Sequence, residues 1–272
     1  MRRVYERPFE IIEGDTSSGI LLLCDHARNS LPDEYGSLGL PEAEFGRHIA
    51  YDIGTEALTR ALAERLGVPA VHSCFSRLLI DPNRGEDDPT IVMRLSDGTV
   101  VPGNHPISDA EIQSRIERFH APYHNAIDEM LERMMASGNP PLVFSIHSFT
   151  PHWKGVARPW HAAMLWDADP RLPKFIIDGL RETTPFMIGD NEPYDGALRN
   201  DTMYRHATKN GLAQGLIEVR QDLIADETGV AEWCNIIAPL LEAANARPDM
   251  HEQRYFGSRT DGTADMAAMR DI

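Results

Sequence analysis

The sequence predicts an α/β fold built on a mostly parallel sheet. Short aliphatic runs alternate with longer segments of helical periodicity over most of the chain, the pattern of strand–helix–strand units. The run at residues 19–24 (GILLLC) is apolar throughout, as expected for a strand that is buried on both faces. No internal repeat and no Pro-, Gly- or Ser-rich linker divides the chain. We therefore expect one domain at residues 1–248, followed by a polar surface tail at 249–272.

The same patterns locate the other elements. Further strands are expected at residues 68–73, 77–80, 142–146, 162–166, 186–189 and 215–219, where short aliphatic runs occur. Helices are expected at residues 42–66, 108–135, 170–181 and 230–246, where apolar residues recur at helical spacing. Ser108 and Glu111 have the spacing of a capping box, and Pro122 predicts a kink or a break in that helix. Residues 81–106, rich in Asp, Pro, Gly and Asn, predict a long functional loop.

Composition excludes some classes of partner. The chain has 42 Asp and Glu against 26 Lys and Arg, which gives a formal net charge of −16. This field disfavours binding to nucleic acids and to anionic membranes. No apolar run approaches the roughly 18 residues that a membrane span needs, and the first residues lack the apolar segment of a secretory signal. We expect a cytoplasmic protein that is a monomer or a small homo-oligomer and whose partner is a small molecule.

The cysteines argue against thiol chemistry. Three widely separated cysteines, with no CxxC pair, disfavour both a thiolate zinc site and a disulfide framework. Cys24 and Cys74 lie in apolar surroundings and are interpreted as small buried hydrophobic residues. A cysteine-dependent hydrolase is the weakest alternative, because a Cys24 thiolate would be costly inside an aliphatic strand.

Three polar residues stand near the ends of predicted strands. His26 follows the first apolar run, His147 follows a second, and Glu218 lies near the end of a third. Open α/β sheets bind ligands at this edge. A catalytic zinc ion needs three protein ligands and one open position for water, and imidazole is a preferred ligand. We therefore predict that His26 and His147 bind zinc, and we interpret the other histidines, apart from His48, as surface or structural groups. Glu218 is either a general base or a structural ion-pair partner.

The third ligand is harder to assign from the residues. Asp52 lies on the predicted first helix, one turn after His48, and points either at the strand ends or into solvent. His48 is the alternative ligand, or a residue that supports one. Asp25 and Asn29, near His26 in sequence, are further candidates for supporting contacts, although an amide is a poor zinc ligand.

Six segments occur in this order: CDHARNSLPDEYGSLGL, HIAYDIGTEAL, SRLLIDPNR, FSIHSFTP, GDNEPYDG and LIEVRQDL. Together they resemble the N-formylglutamate amidohydrolase family, over residues 20–237. The resemblance implies a three-layer α/β/α fold with a mostly parallel mixed sheet, phosphorylase/hydrolase-like and similar to zinc carboxypeptidases and aspartoacylases. It also implies that one zinc ion supports hydrolysis of the amide bond of an N-acyl acidic amino acid such as N-formylglutamate.

The resemblance also orders the site. In the more distantly similar zinc N-acetylmuramoyl-alanine amidases, a histidine, an acid, a second histidine and a late glutamate form the site. His26, Asp52, His147 and Glu218 match that order, which favours Asp52 as the third ligand. A carboxypeptidase-type HxxE pair would need a glutamate where this chain has Asn29. We expect Glu218 to take a proton from water and return it to the leaving amine.

Arginines are the expected partners of a substrate carboxylate, because a guanidinium binds a carboxylate through two parallel hydrogen bonds. The alternative role of each arginine is a structural ion pair. The alternative interpretation of the NEPY segment, residues 191–194, is a plain turn. A different zinc amidase or peptidase, acting on another N-acyl amino acid or a cell-wall peptide, is the first rival. A catalytically inactive protein that binds a small acidic ligand is the second. The candidate substrate-binding residues are Arg77, Asn83, Arg84, Asn191, Tyr194 and Arg220.

Overall fold

The computed structural model describes residues 4–261 of the chain. The strands are β1 (Phe9–Ile12), β2 (Ile20–Cys24), β3 (Ala70–Ser73), β4 (Leu95–Ser96), β5 (Thr99–Val100), β6 (Leu142–Phe149), β7 (His152–Trp153), β8 (Val156–Ala157), β9 (Ala162–Leu165), β10 (Ile188–Asp190) and β11 (Gln214–Arg220). The α-helices are α1 (Thr55–Leu66), α2 (Asp109–Arg115), α3 (Ala121–Met135), α4 (Arg171–Thr183), α5 (Thr202–His206) and α6 (Glu227–Asn245).

Seven strands form one mixed sheet in the order β1-β3-β2-β6-β11-β9-β10. Strands β3, β2, β6 and β11 are parallel neighbours, whereas β1 joins β3 and β9 joins β11 in antiparallel fashion. Helices α1, α4 and α6 pack on one face, and α2, α3 and α5 lie on the other. The predicted three-layer α/β/α fold with a mostly parallel mixed sheet is confirmed.

The central strands are apolar throughout because each sheet face carries its own core. Leu21 and Leu23 belong to the core beneath α3, whereas Ile20 and Leu22 belong to the core beneath α1 and α6. Successive side chains of a strand point to opposite faces, so a strand covered on both sides needs an apolar residue at every position. The uninterrupted GILLLC run therefore identified a central strand of the sheet.

The prediction of one helix over residues 42–66 is wrong. A 3-10 helix at Glu42–Gly46 is followed by irregular turns, and α1 begins only at Thr55. Gly54 separates them because its φ of 85° lies in the left-handed region, and a Cβ there would lie 2.2 Å from the carbonyl oxygen of Ile224. Asp52 therefore lies in the turn before α1 and not on a helix.

Two further local predictions concern residues 77–80 and the helix that contains Pro122. The predicted strand at residues 77–80 is a turn, and its aliphatic run is buried without pairing into the sheet. A four-residue apolar run does not distinguish these outcomes. The helix does not break at Pro122: the backbone stays helical from α2 to α3, with a π-helical turn at Ile116–His120 between them. The Ser108 side chain caps α2 by accepting a hydrogen bond from the backbone N–H of Glu111.

The segment after α6 packs on the body of the fold up to residue 261. Met250 is buried, and the backbone N–H of Arg254 donates to the carbonyl oxygen of Gly211. The rest of the predicted tail, residues 262–272, lies outside the described residues, so the boundary at 248 stays a prediction. None of the helices within residues 4–261 combines the length and the apolar composition that crossing a bilayer requires.

Candidate metal and catalytic site

Three adjacent parallel strands, β2, β6 and β11, bring polar side chains to one edge of the sheet. His26 lies two residues past the end of β2. His147 and Glu218 lie inside β6 and β11, where they are paired in register. Strand β6 therefore extends past its predicted end at residue 146 and includes His147, whereas Glu218 lies inside its strand as predicted. All three residues are buried, and they lie at the carboxyl ends of parallel strands, where such sheets bind ligands.

Asp52 joins the two histidines. Its Oδ2 lies 3.2 Å from Nδ1 of His26 and 3.0 Å from Nδ1 of His147. The turn that carries Asp52 is bound to the end of β2, because the Asp52 N–H donates to the His26 carbonyl oxygen at 2.9 Å. The Thr55 hydroxyl donates to the Asp52 carbonyl oxygen and closes this turn. The ligand atoms of the three residues lie within 4.8 Å of one another.

The far nitrogen of each ring contacts a carboxylate. Nε2 of His26 lies 2.7 Å from Oδ1 of Asp81, and Nε2 of His147 lies 2.9 Å from Oδ2 of Asp25. An ionised carboxylate only accepts hydrogen bonds, so each Nε2 carries the proton. In the neutral rings the lone pairs then reside on the two Nδ1 atoms, which face Asp52. Histidines that bind metals in proteins have this arrangement.

Such a convergence of acceptor atoms is unfavourable without a positive charge among them. Burial alone would lower the pKa of His147, yet Asp25 and Asp52 hold it well above its usual range. Burial alone would raise the pKa of Asp52, yet the two histidines hold it well below its usual range. Both directions indicate an electrostatic field that favours a cation at this point.

The charges around the rings lead to the same conclusion. Three buried carboxylates, Asp25, Asp52 and Asp81, surround the histidines. Arg77 offsets one negative charge through Nη2, which lies 2.7 Å from Oδ2 of Asp81, and its Nη1 lies 3.4 Å from Oδ1 of Asp52. Two negative charges stay uncompensated when the imidazoles are neutral. Two imidazoles and one carboxylate form a donor set of catalytic zinc, so these residues fit a divalent metal ion.

Glu218 lies beside this group, and one of its carboxylate oxygens accepts no hydrogen bond from the described residues. Its Oε2 is buried and has no hydrogen-bond partner within residues 4–261. Burial raises the pKa of Glu218 to about 7, against the opposing effect of nearby His147. A carboxyl group whose pKa is near neutrality can both accept and release a proton, as a general acid and base must.

The contacts that hold Asp25 and His26 were not predicted from the sequence. Oδ1 of Asp25 accepts hydrogen bonds from the hydroxyls of Tyr123 (2.9 Å) and Thr202 (2.7 Å). These residues are 98 and 177 positions away along the chain, so only the fold reveals the contacts. The sequence does carry a signal for Asp81 as a site residue, because it follows an aliphatic run just as Asp25 follows β2.

A cavity of about 460 Å³ adjoins the cluster. Arg77 reaches it but is held by Asp81 and Asp52, as described above. Nη1 of Arg84 lies 3.6 Å from Asp88, and Nε2 of His48 lies 3.6 Å from Asp97, so His48 is outside the ligand group. The predicted site residues that line the cavity are His26, His48, Asp52, Arg77, Asn83, Arg84, His147, Tyr194 and Glu218.

Three predicted contributors are engaged elsewhere and do not line this cavity as the described residues define it. Arg220 pairs with Asp222 at 2.7 Å. The side-chain oxygen of Asn191 accepts from two backbone N–H groups and closes a turn, the alternative interpretation of the NEPY segment. The Asn29 amide donates to the carbonyl oxygen of Phe45 at 2.7 Å. These three side chains make structural contacts in the described part of the chain, and their roles at the site stay predictions.

Cys24 and Cys74 are buried, as predicted. All three cysteines are buried and free of disulfides, and burial raises the pKa of the Cys24 thiol far above its usual range. A thiol in this state is a poor nucleophile. The cysteine-dependent alternative therefore has no support within the described part of the chain.

Comparison with known proteins identifies the family. A model of the N-formylglutamate amidohydrolase family matches residues 18–225. The gene product Atu2144 from Agrobacterium tumefaciens is 31% identical, with a TM-score of 0.82 over 88% of this chain and 95% of that one. N-formylglutamate amidohydrolase from Ralstonia eutropha JMP134 shares the fold at 24% identity, with a TM-score of 0.63 over 88% and 97%. No curated protein matches the chain significantly. The chain belongs to the N-formylglutamate amidohydrolase family and is an amidohydrolase.

Proposed function

We propose that the protein uses one zinc ion to hydrolyse the amide bond of an N-acyl amino acid, with N-formylglutamate as the reference substrate. The observation that supports this most strongly is the convergence of two Nδ1 atoms on Asp52, next to the unpartnered carboxyl group of Glu218. Family membership supports the reaction class.

The residues that would hold the ion are His26 and His147, through Nδ1, and Asp52, through Oδ2. When bound, zinc supplies Lewis-acid chemistry, lowering the pKa of a bound water and polarising the amide carbonyl. Asp81 and Asp25 fix the two rings with their lone pairs toward Asp52. These hydrogen bonds also make the rings more basic and so strengthen them as ligands.

Glu218 moves the proton that the reaction requires. Hydrolysis forms a bond between the water oxygen and the acyl carbon and breaks the bond between that carbon and the nitrogen. In this proposal Oε2 of Glu218 takes one proton from the water and delivers it to the leaving nitrogen. Its buried position, without a competing hydrogen bond in residues 4–261, keeps Oε2 available for both transfers.

Arg84 is the proposed partner of the substrate α-carboxylate. Arg77 already neutralises Asp81 and approaches Asp52, so it is poorly suited to bind a further anion. The Arg84 side chain is partly exposed to the cavity, and its nearest carboxylate, on Asp88, is 3.6 Å away. Asn83 and Tyr194 line the same cavity and are proposed to supply neutral hydrogen bonds.

The test is formate release from N-formylglutamate by protein of measured zinc content. Glu218→Gln should keep the zinc content of the parent, while kcat falls by roughly 10²–10⁴-fold because the proton carrier is lost. Glu232→Gln, on an exposed position of α6, makes the same chemical change away from the site and should leave kcat unaltered. Full activity of Glu218→Gln would refute the role of Glu218 as the proton carrier.

A further inference from the structure

The cavity extends along β11 beyond the group of His26, Asp52 and His147. Gln214, Leu216 and Glu218 all line it, every second residue of the strand. Alternate residues share a face, and a strand rises roughly 3.3 Å per residue, so the cavity runs about 13 Å from Glu218 toward Gln214. Only the Glu218 end of this face belongs to the catalytic group.

The walls of the extension are apolar. Leu216 pairs in register with Leu165 of β9, and Met203 of α5 also lines the cavity. Leu165 and Leu216 each keep 7% exposure, whereas Ile217, the neighbour on the opposite face, keeps 0%. Leu198, from the loop before α5, adds a half-buried side chain. We call Leu165, Leu198, Met203 and Leu216 the apolar compartment.

The four residues of the compartment supply no counter-ion to a second substrate carboxylate. They carry no cation, and the acidic lining residue next to the compartment, Asp201, is itself poorly solvated: burial raises the pKa of Asp201 to about 7. At the far end, the Gln214 amide donates to the Thr208 hydroxyl at 3.3 Å. A carboxylate transferred to such surroundings loses its hydration without gaining a counter-ion.

We propose that the apolar compartment receives an apolar side chain of the substrate amino acid. This inference rests on the proposed amide hydrolysis and narrows its substrate class. Glu218 stands at the mouth of the compartment and protonates the leaving nitrogen, so the amino acid that carries this nitrogen lies next to the compartment. The substrate class is then an N-acyl amino acid with a linear or branched aliphatic side chain, whose single α-carboxylate binds Arg84.

The direct test compares two substrates of equal length. The zinc-loaded protein is assayed with N-formylnorleucine and N-formylglutamate, and we expect kcat/KM to favour norleucine by about 10-fold or more, the size of effect that apolar pockets produce. Equal or higher kcat/KM for N-formylglutamate would overturn the inference and leave amide hydrolysis intact. If neither compound is hydrolysed, the proposed function fails, and calorimetric binding to the Glu218→Gln variant decides the inference. Tighter binding of N-formylnorleucine supports the compartment, and tighter binding of N-formylglutamate refutes it.

Leu198→Arg makes the compartment cationic. Leu198 is half-buried, so an arginine can be accommodated with its charged end toward the cavity. The ratio of kcat/KM for N-formylglutamate to that for N-formylnorleucine should rise by about 10-fold or more. Leu66→Arg, at the half-buried last residue of α1, is the matched control and should leave the ratio unchanged. An unchanged ratio in a folded Leu198→Arg protein would overturn the assignment. Should that variant not fold, Leu198→Gln replaces it, with a smaller shift expected in the same direction.

Discussion

Two buried histidine clusters lie on the same side of the sheet, and they differ in where their nitrogens point. In the proposed metal site of His26 and His147, each Nε2 contacts a carboxylate and both Nδ1 atoms converge on Asp52. In the second cluster, formed by His120, His124 and His206 and here called the helical histidine cluster, the rings contact one another. Nδ1 of His124 lies 2.7 Å from Nε2 of His206.

Within residues 4–261, the ligand atoms of the helical histidine cluster do not converge on one position as those of His26, Asp52 and His147 do. Nε2 of His124 lies 3.0 Å from the carbonyl oxygen of Pro82, and Nδ1 of His206 lies 2.8 Å from Asp128. Nε2 of His120 lies 2.9 Å from the carbonyl oxygen of Arg84. His120 and His124 nevertheless have the i, i+4 spacing of a common zinc motif. This spacing thus occurs here without the carboxylate on the far nitrogen of each ring that His26 and His147 have.

The largest expected difference between the clusters is in metal affinity. His147→Ala removes a proposed ligand and should lower zinc affinity by more than about 100-fold, beyond the roughly 10–100-fold effect of losing a ligand's hydrogen-bond partner. His124→Ala is the counterpart in the helical histidine cluster and should keep its zinc. Zinc per folded chain, measured after dialysis, checks both variants. Full occupancy in His147→Ala would remove this residue from the ligand set.

An intermediate effect should come from the carboxylates that orient the rings. Asp81→Asn weakens the contact that fixes His26, so zinc affinity should fall by roughly 10–100-fold. Asp128→Asn makes the same change beside His206 and should not alter zinc affinity. Competition with a chromophoric chelator measures both values. Equal losses in the two variants would mean that the carboxylates act through overall stability.

The smallest effect is a pH dependence of stability in the helical histidine cluster. Burial, reinforced by His120 and His206, holds the pKa of His124 well below its usual value of 6.5. The folded chain thus keeps His124 neutral where the unfolded chain binds a proton. Stability present above about pH 6.5 is lost as the pH falls, by about 1.4 kcal/mol at pH 5.5.

Urea unfolding of the parent and of His124→Gln at pH 7.5 and 5.5 isolates this contribution. The variant should lose less stability than the parent between the two pH values, by the amount that His124 contributes. Metal-free protein is used for both chains, so that titration of His26, Asp52 and His147 affects them equally. A variant with the same pH dependence as the parent would show that His124 is protonated in the fold.

The sequence predicted the parts of the fold that depend on local patterns. The uninterrupted run before His26 identified a central strand, and the positions of His26, His147 and Glu218 on neighbouring strand ends followed from parallel topology. The position of Asp52 was mispredicted, because helical periodicity masks the left-handed Gly54 that ends the turn. The site contacts of Tyr123 and Thr202 depend on how α3 and α5 pack, which no local pattern reports.

The turn that carries Asp52 has a consequence for the lifetime of the protein. The proposed ligands lie 26 and 95 residues apart along the chain, so one ion would cross-link the end of β2, the turn before α1 and β6. An ion that binds only the folded chain stabilises it by about 4 kcal/mol when its free concentration is roughly 1,000 times its dissociation constant. Metal starvation would then act on the population of folded molecules as well as on their turnover, and cells short of the ion would hold less of the protein.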